Sequence, residues 1–183
     1  HEGWSYDKVP SNFDSAEWQL KHTELLNKVR SEVEIDQTTI FTENQNAFTL
    51  RGRTAILGGK PDLITVSDEV GTIIDAKTGQ PSPSHHVQVM LYMYAVSKAL
   101  RQYKGINFSG KVVYPDHEDS IPSSAVDDTF IKNLSHLIQR VASTEPARKV
   151  PSKMECSFCN ITSSDCQERI EEDGDINGET TDF

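Results

Sequence analysis

The stretch GTIIDAKTGQ, residues 71–80, places an acid and a lysine at the end of an apolar segment that is typical of a β-strand. Successive side chains of a strand point to opposite faces, so Asp75 and Lys77 share one face and Ala76 lies on the other. Ionised side chains are rarely buried without partners. The pattern therefore predicts either a salt bridge at the edge of a sheet or a site where an acid and a base act together.

A second acid, Asp62, directly follows Pro61 and starts another short apolar segment. If residues 62–66 and 72–77 pair as a hairpin around a turn at 67–71, Asp62 lies near the end of the second strand. For Asp75 and Lys77 alone, a structural salt bridge is the simpler interpretation, because D-x-K is a common tripeptide. The position of Asp62 instead favours a site at which two carboxylates and an ammonium group converge.

These residue types suit the hydrolysis of a phosphodiester. Carboxylate and carbonyl oxygens hold hard divalent cations, and such a cation neutralises charge on the phosphate and lowers the pKa of a bound water. Asp62, Asp75 and the Ala76 carbonyl are therefore candidate ligands for Mg²⁺ or Mn²⁺. Lys77 is the candidate to orient the water or to stabilise developing negative charge.

The other segments predict a mixed α/β fold of one domain over residues 1–170, with a cysteine-rich end at 151–170. Periodicity and breaker residues define the predicted elements. They are a helix near 15–33, strands at 38–42, 47–53 and 111–114, a break at 58–61, a loop at 78–85, a buried helix from about 87 to 103, and a last helix capped by Asp127 or Asp128.

Composition bears on partners and location. The net charge is −10, and residues 171–183 hold six acids and no base, which predicts a disordered acidic tail. An acidic chain is not an obvious nucleic-acid binder, although carboxylates gathered around metal ions also make a chain acidic. No apolar run approaches the about 20 residues that span a bilayer, and a quarter of the residues are charged. We therefore expect a soluble protein.

Three cysteines, Cys156, Cys159 and Cys166, are spaced C-x2-C-x6-C. An odd number of cysteines at this spacing suits a bound metal or cluster better than a set of disulfides. Unpaired cysteines also predict a reducing, intracellular compartment such as the cytoplasm.

The motifs P-D at 61–62, D-A-K at 75–77 and Q-V-M-L-Y at 88–92, in this order and spacing, resemble the PD-(D/E)XK nuclease superfamily. Within it the chain resembles the RecB-like branch, which includes the CRISPR-associated adaptation nucleases. The resemblance runs from about His22 to Cys166. It implies a restriction-endonuclease-like core, in which helices flank a mixed central sheet. It also implies a metal-dependent DNA nuclease, more often an exonuclease acting on single strands or ends than a sequence-specific enzyme.

The resemblance also implies roles for residues outside the D-A-K strand. Gln88 and Tyr92 are four residues apart on one helix face, and in the family such a pair helps to position the DNA and the catalytic lysine. His22 matches the position of a metal-ligating histidine on the first helix. His85 and His86 precede this pair, and a solvated loop is favoured for them over a contact with the substrate.

The cysteines resemble a trio that, with one N-terminal cysteine, holds a [4Fe-4S] cluster in many members of the branch. This sequence has no cysteine upstream of His22, so the fourth ligand is missing. A ligand beyond the N-terminus, a Zn²⁺ or cluster site completed by His1 or Asp165, and a vestigial site all stay open.

Other functions also stay open at this point. One is a non-catalytic nucleic-acid-binding module of the same fold. Another is a zinc-stapled interaction domain in which the Asp–Lys pair is only structural. RNA is an open alternative to DNA as the substrate, because the sequence carries no signal for recognition of a 2′-hydroxyl.

Overall fold

The computed structural model describes residues 7–10, 13–34, 39–145, 149 and 151–170. The chain forms two compact units, one of residues 14–142 and one of residues 1–13 with 143–183. The single domain expected over residues 1–170 stays a prediction. The predicted disordered tail at 171–183 lies outside the described residues.

The helices and strands follow one another along the chain with short connections. The strands are β1 (Thr39–Thr42), β2 (Phe48–Arg51), β3 (Ile56–Gly59), β4 (Leu63–Ser67), β5 (Val70–Ala76), β6 (Asn107–Val113) and β7 (Glu118–Ile121). The helices are α1 (Ser15–Glu34), α2 (Glu43–Asn46), α3 (Pro83–Ala99), α4 (Asp128–Val141) and α5 (Lys153–Phe158). Among the described residues, every helix is too short or too polar to cross a bilayer.

Five of the described strands form one mixed sheet, in the order β1-β4-β5-β6-β7. Every neighbouring pair is antiparallel except β5 and β6, which are parallel. Parallel neighbours need a crossover connection, and α3 lies in the chain between them. The strands β2 and β3 pair separately as a two-stranded sheet. The predicted mixed central sheet with flanking helices is therefore confirmed.

The two faces of the sheet bury different helices. Alternate residues of a strand point to opposite faces, so the neighbours Ile73 and Ile74 belong to different cores. Ile73 packs with α3, in a core that includes Ile64, Val89, Met93, Val96 and Val112. Ile74 packs with α1, in a core that includes Leu25, Val29, Leu63, Ala76 and Val113.

Helix α3 packs unusually close to β6. A Cβ atom added to Gly110 would overlap Val89 Cγ1 and would lie 2.9 Å from the sulfur of Met93. Only a residue without a side chain allows this approach. The close approach of α3 to β6 therefore depends on Gly110.

Several predicted bounds are wrong. Helix α3 begins at Pro83 rather than near residue 87, because Ser82 caps it by accepting a hydrogen bond from the Ser84 N–H at 3.3 Å and proline is favoured in a first turn. The predicted break at 58–61 contains the end of β3, which pairs with β2. Strand β6 begins four residues before the predicted 111, and β7 was not predicted.

Candidate active site

The register of β4 and β5 brings the two acids to the same end of the sheet. Leu63 pairs with Ile74 in the antiparallel ladder, so Asp62 and Asp75, one residue further along, face one another. A cleft of about 750 Å³ opens at this end. Six of the predicted site residues line it: His22, Asp62, Asp75, Ala76, Lys77 and Gln88.

Asp62 is held on two sides. It is 9% exposed, and its Oδ2 accepts a hydrogen bond from the Ala76 N–H at 2.8 Å. His22 Nε2 lies 3.5 Å from the same oxygen. Burial, and then the charge of Asp75, raise the pKa of Asp62, while the Ala76 N–H and His22 act in the opposite direction. Burial therefore disfavours the ionised form of Asp62 in the absence of a nearby cation.

Asp75 carries a buried oxygen without a hydrogen bond. The residue is 2% exposed, and among the described residues nothing donates a hydrogen bond to its Oδ2. Lys77 Nζ lies only 2.7 Å from this oxygen, so the two form an ion pair that lacks the angles of a hydrogen bond. A buried acceptor left in this state is costly, and it marks a position that a cation would stabilise.

Lys77 is the first member of a chain of hydrogen bonds into α3. Its Nζ donates to Gln88 Oε1 at 2.9 Å, and Gln88 Nε2 donates to the Tyr92 hydroxyl at 2.9 Å. Both ends of the amide are used, so the carboxamide is fixed with its oxygen towards the ammonium group. Tyr92 does not line the cleft, and its hydroxyl is linked to Lys77 through the Gln88 amide.

Helix α1 contributes His22 together with an aromatic neighbour. The rings of Trp18 and His22 are stacked, with centroids 5.1 Å apart and planes 20° from parallel, as the i, i+4 spacing on a helix allows. Trp18 is 45% exposed and lines the cleft. The place of Trp18 in the cleft was not predicted from the sequence, although its four-residue spacing from His22 was a signal for it.

Lys60 and Glu43 form a further charged pair on the wall of the cleft. Their Nζ and Oε2 atoms are 2.7 Å apart, and both residues line the cleft. Lys60 stands two residues before Asp62, next to the P-D motif at 61–62. No role for this positive charge was predicted from the sequence.

The donor atoms suit a hard divalent cation, although they do not yet surround one. Within the described ranges, no group of three or more His, Cys, Asp or Glu side chains is arranged to hold a metal ion. Asp62 is engaged by the Ala76 N–H, and Lys77 supplies the positive charge beside Asp75. Asp75 Oδ2, which has Lys77 beside it but no hydrogen bond, and the buried carboxyl of Asp62 are the oxygens that a metal ion would use. The residues therefore fit such an ion if Lys77 gives way at Asp75.

The cysteines lie in the other compact unit and do not form a ligand set there. Cys156 is buried, and Cys159 and Cys166 are half-buried free thiols. The Cys156 sulfur accepts a hydrogen bond from the Ile170 N–H at 3.4 Å. Asp165, a candidate fourth ligand, accepts a hydrogen bond from a backbone N–H at 2.6 Å. Among the described residues of this unit, no group of three or more His, Cys, Asp or Glu side chains is arranged to hold a metal ion, and the predicted [4Fe-4S] or Zn²⁺ cofactor stays a prediction.

Comparison with known protein families gives a match over most of the chain. The family model of the PD-(D/E)XK nuclease superfamily matches residues 2–166. No curated protein sequence matches the chain significantly. Among solved structures, the crystal structure of SSO0001 is similar, with a TM-score of 0.48 and 18% sequence identity over 81% of this chain and 70% of that one.

Proposed function

The chain belongs to the PD-(D/E)XK nuclease superfamily, and from that premise we propose that it is a divalent-metal-dependent DNA nuclease that hydrolyses phosphodiester bonds. The observation that carries the proposal is the cleft at the end of β4 and β5. There Asp62, Asp75 and Lys77 converge, and Gln88 holds the lysine. Members of the superfamily generally act on nucleic acid with the help of metal ions.

The proposed metal ligands and Lys77 have distinct tasks. Asp62 and Asp75 would hold Mg²⁺ or Mn²⁺, with His22 and the Ala76 carbonyl as further ligands. When bound, such an ion supplies charge neutralisation at the scissile phosphate and activates water. Lys77 orients the attacking water and stabilises negative charge that develops on the phosphate.

We further propose exonuclease action on single strands or ends, and DNA rather than RNA as the substrate. The support is the likeness of the D-A-K and Q-x-x-x-Y motifs to the RecB-like branch. An intracellular, cytoplasmic location is part of the same proposal, and the three free thiols support it.

The test is cleavage of end-labelled single-stranded DNA, double-stranded DNA and RNA of one sequence, with Mg²⁺, Mn²⁺ or EDTA. We expect cleavage with either metal and none with EDTA. Lys77→Met should lower kcat at least about 100-fold, because it removes a charged group that stabilises the transition state. Mn²⁺ should still raise the Tm of this variant.

Lys111→Met is the matched control. Lys111 also pairs with an acid, Glu118, at 2.8 Å, but it does not line the cleft. Its replacement should leave kcat within about twofold of the wild type. Equal losses in the two variants would contradict a specific role for Lys77.

Binding without cleavage is the second candidate function. Two observations favour it: Lys77 already neutralises Asp75, and the described residues contain no ready group of three ligands. A wild-type chain that binds Mn²⁺ and DNA but never cleaves would establish it. Zinc in the purified protein, without nuclease activity, would instead favour the zinc-stapled interaction domain.

A further inference from the structure

His85 is a residue of the cleft that the proposed mechanism does not use. It lies in the first turn of α3, three residues before Gln88, and it lines the same cleft as Asp75 and Lys77. It is half-buried. The solvated loop expected from the sequence is therefore wrong at this position, and the imidazole is available to the substrate.

Tyr114 holds one nitrogen of this ring. Tyr114 is 3% exposed and follows β6, and the parallel register of β5 and β6 places it beside Lys77. Its hydroxyl lies 2.9 Å from His85 Nδ1. The ring of His117 stacks on the Tyr114 ring, with centroids 4.5 Å apart and planes 14° from parallel. His117 thus holds the ring of Tyr114, and His85 holds its hydroxyl.

The hydrogen bond with Tyr114 links the position of the proton on His85 to the direction of the Tyr114 O–H. Burial raises the pKa of Tyr114, and a hydrogen bond from the backbone of Ser82 acts in the opposite direction, as a donor N–H does. The Tyr114 hydroxyl can donate its proton to His85 Nδ1, because a neutral imidazole accepts through one nitrogen and donates through the other. The proton of the neutral imidazole then lies on Nε2. Among the described residues, only Nδ1 of this ring is hydrogen-bonded.

The surroundings also keep His85 uncharged. Burial lowers its pKa, the charge of Lys77 lowers it further, and Asp75 acts in the opposite direction. A histidine with a lowered pKa is neutral at pH 7. A neutral imidazole N–H can polarise a bound oxygen without the positive charge that Lys77 would repel.

We propose that His85 binds the substrate directly, through a hydrogen bond from its Nε2–H to a phosphate oxygen of the nucleic-acid strand in the cleft. Tyr114 is the positioning residue that fixes the ring and its proton. The inference rests on the proposed nuclease function, because it names a contact by which the same cleft holds its phosphodiester. Lys77 then contacts the nucleic-acid strand from the sheet, and His85 contacts it from α3.

The test uses the full chain and a fluorescently labelled single-stranded DNA oligonucleotide. Binding is measured by anisotropy with Ca²⁺, and cleavage is measured with Mn²⁺. We expect His85→Ala to weaken binding and to lower kcat/KM by about tenfold, the usual effect of losing one hydrogen bond to a charged group. His85→Gln keeps an N–H donor at a similar reach and should recover most of the loss.

His86→Ala is the matched control. His86 is the next residue of the same helical turn, its Nε2 lies 2.9 Å from Asp119 Oδ2, and it does not line the cleft. It should bind and cleave within about twofold of the wild type. Tyr114→Phe should lose part of the activity and add nothing to His85→Ala in the double variant, whereas a merely structural role for Tyr114 gives additive losses.

Three results would overturn the proposal. The first is His85→Ala that binds and cleaves within twofold of the wild type, and the second is an equal loss in His86→Ala. The third is a loss of activity in His85→Ala that parallels a loss of Mn²⁺ affinity, measured as the Mn²⁺-induced rise in Tm, because His85 would then act on the ion.

A wild-type chain that binds the oligonucleotide but never cleaves contradicts the nuclease function, and the binding measurement with Ca²⁺ still decides the role of His85. A chain that neither binds nor cleaves contradicts both.

Discussion

At the scale of single residues, the site is organised around the ammonium group of Lys77. This group lies between Asp75 Oδ2 and Gln88 Oε1. The sequence predicted that the acids and the lysine meet, because strand periodicity and a hairpin suffice for that. It could not predict that Tyr92 both packs edge-on against Phe48, with centroids 6.0 Å apart, and accepts the Gln88 hydrogen bond, since such contacts depend on rotamers.

The hydrogen bonds of this chain predict an order of effects on kcat. Gln88→Ala removes a bond to a charged group, worth about 1.5–3 kcal/mol, and should lower kcat roughly 10- to 100-fold. Tyr92→Phe removes a bond between neutral groups, worth about 0.5–1.5 kcal/mol, and should lower kcat roughly 2- to 10-fold. Single-turnover cleavage rates measure both effects.

Tyr94→Phe is the control for this order. Tyr94 is on the same helix, and its ring lies under Lys98 Nζ, 4.9 Å from the ring centroid, away from the cleft. It should cleave like the wild type. A larger loss in Tyr92→Phe than in Gln88→Ala would show that the tyrosine acts by another route.

The raised pKa of Asp62 predicts a stability effect with a defined sign. The folded protein binds a proton at Asp62 above the ordinary pKa of 3.8, so the free energy of unfolding falls as pH rises through the window between the unfolded and folded pKa values. Asp62→Asn abolishes this loss. At pH 8 in EDTA we expect its Tm to exceed that of the wild type by at least about 2 °C, which is roughly 1 kcal/mol for a domain of this size.

The difference in Tm between Asp62→Asn and the wild type should shrink towards pH 4. Mn²⁺ should raise the Tm of the wild type only. Asp116→Asn is the control with the opposite sign, because the hydrogen bond from His117 lowers the pKa of Asp116. An Asp62→Asn variant that is less stable than the wild type at pH 8 in EDTA contradicts the prediction.

At the scale of secondary structure, α3 is the element that joins the core to the cleft. The sequence predicted its existence from its apolar composition but began it too late. Gly79, Pro81 and Pro83 are typical of a loop, and this signal outweighed the capping signal of Ser82. The hairpin of β2 and β3 was missed for a related reason, since glycines are usual breakers and β3 ends in two of them.

The close packing of α3 on β6 predicts that Gly110→Ala is harmful. The added methyl group would overlap Val89 and crowd Met93, and overpacking of this kind costs about 1–3 kcal/mol. We expect the Tm to fall by roughly 2–10 °C. We also expect kcat to fall, because displacement of α3 moves Gln88 away from Lys77.

Gly58→Ala is the matched substitution. Its Cβ atom would lie 3.7 Å from the Phe48 carbonyl oxygen, an ordinary contact. Its Tm and kcat should stay close to those of the wild type. If both alanine variants behave alike, the Gly110 contact does not set the position of the helix.

At the scale of the whole molecule, the charge of −10 opposes the binding of a polyanion. As a property of composition, this charge argues against a nucleic-acid substrate. The placement of Asp62 and Asp75 in the cleft shows that part of the charge lies at the site itself. Lys77 neutralises only one of the two carboxylates, so the remaining negative charge repels a phosphate until a further cation binds. Composition alone could not reveal this, because it does not record where the acids lie.

Binding of nucleic acid should therefore depend on a divalent cation even without cleavage. We expect the Kd of a single-stranded DNA oligonucleotide, measured by anisotropy at constant ionic strength, to be at least about tenfold lower with Ca²⁺ than with EDTA. The double variant Asp62→Asn, Asp75→Asn should bind equally under the two conditions. Equal affinities of the wild type with Ca²⁺ and EDTA would mean that the carboxylates do not control binding.

Helix α3 turns Val89, Met93 and Val96 to the buried core and carries Gln88 on the wall of the cleft. A helix that belongs to both the core and the cleft cannot unfold in one of them and stay folded in the other. Heating should therefore abolish turnover and cooperative structure in a single transition, so that no folded but inactive intermediate accumulates on the way to the denatured chain.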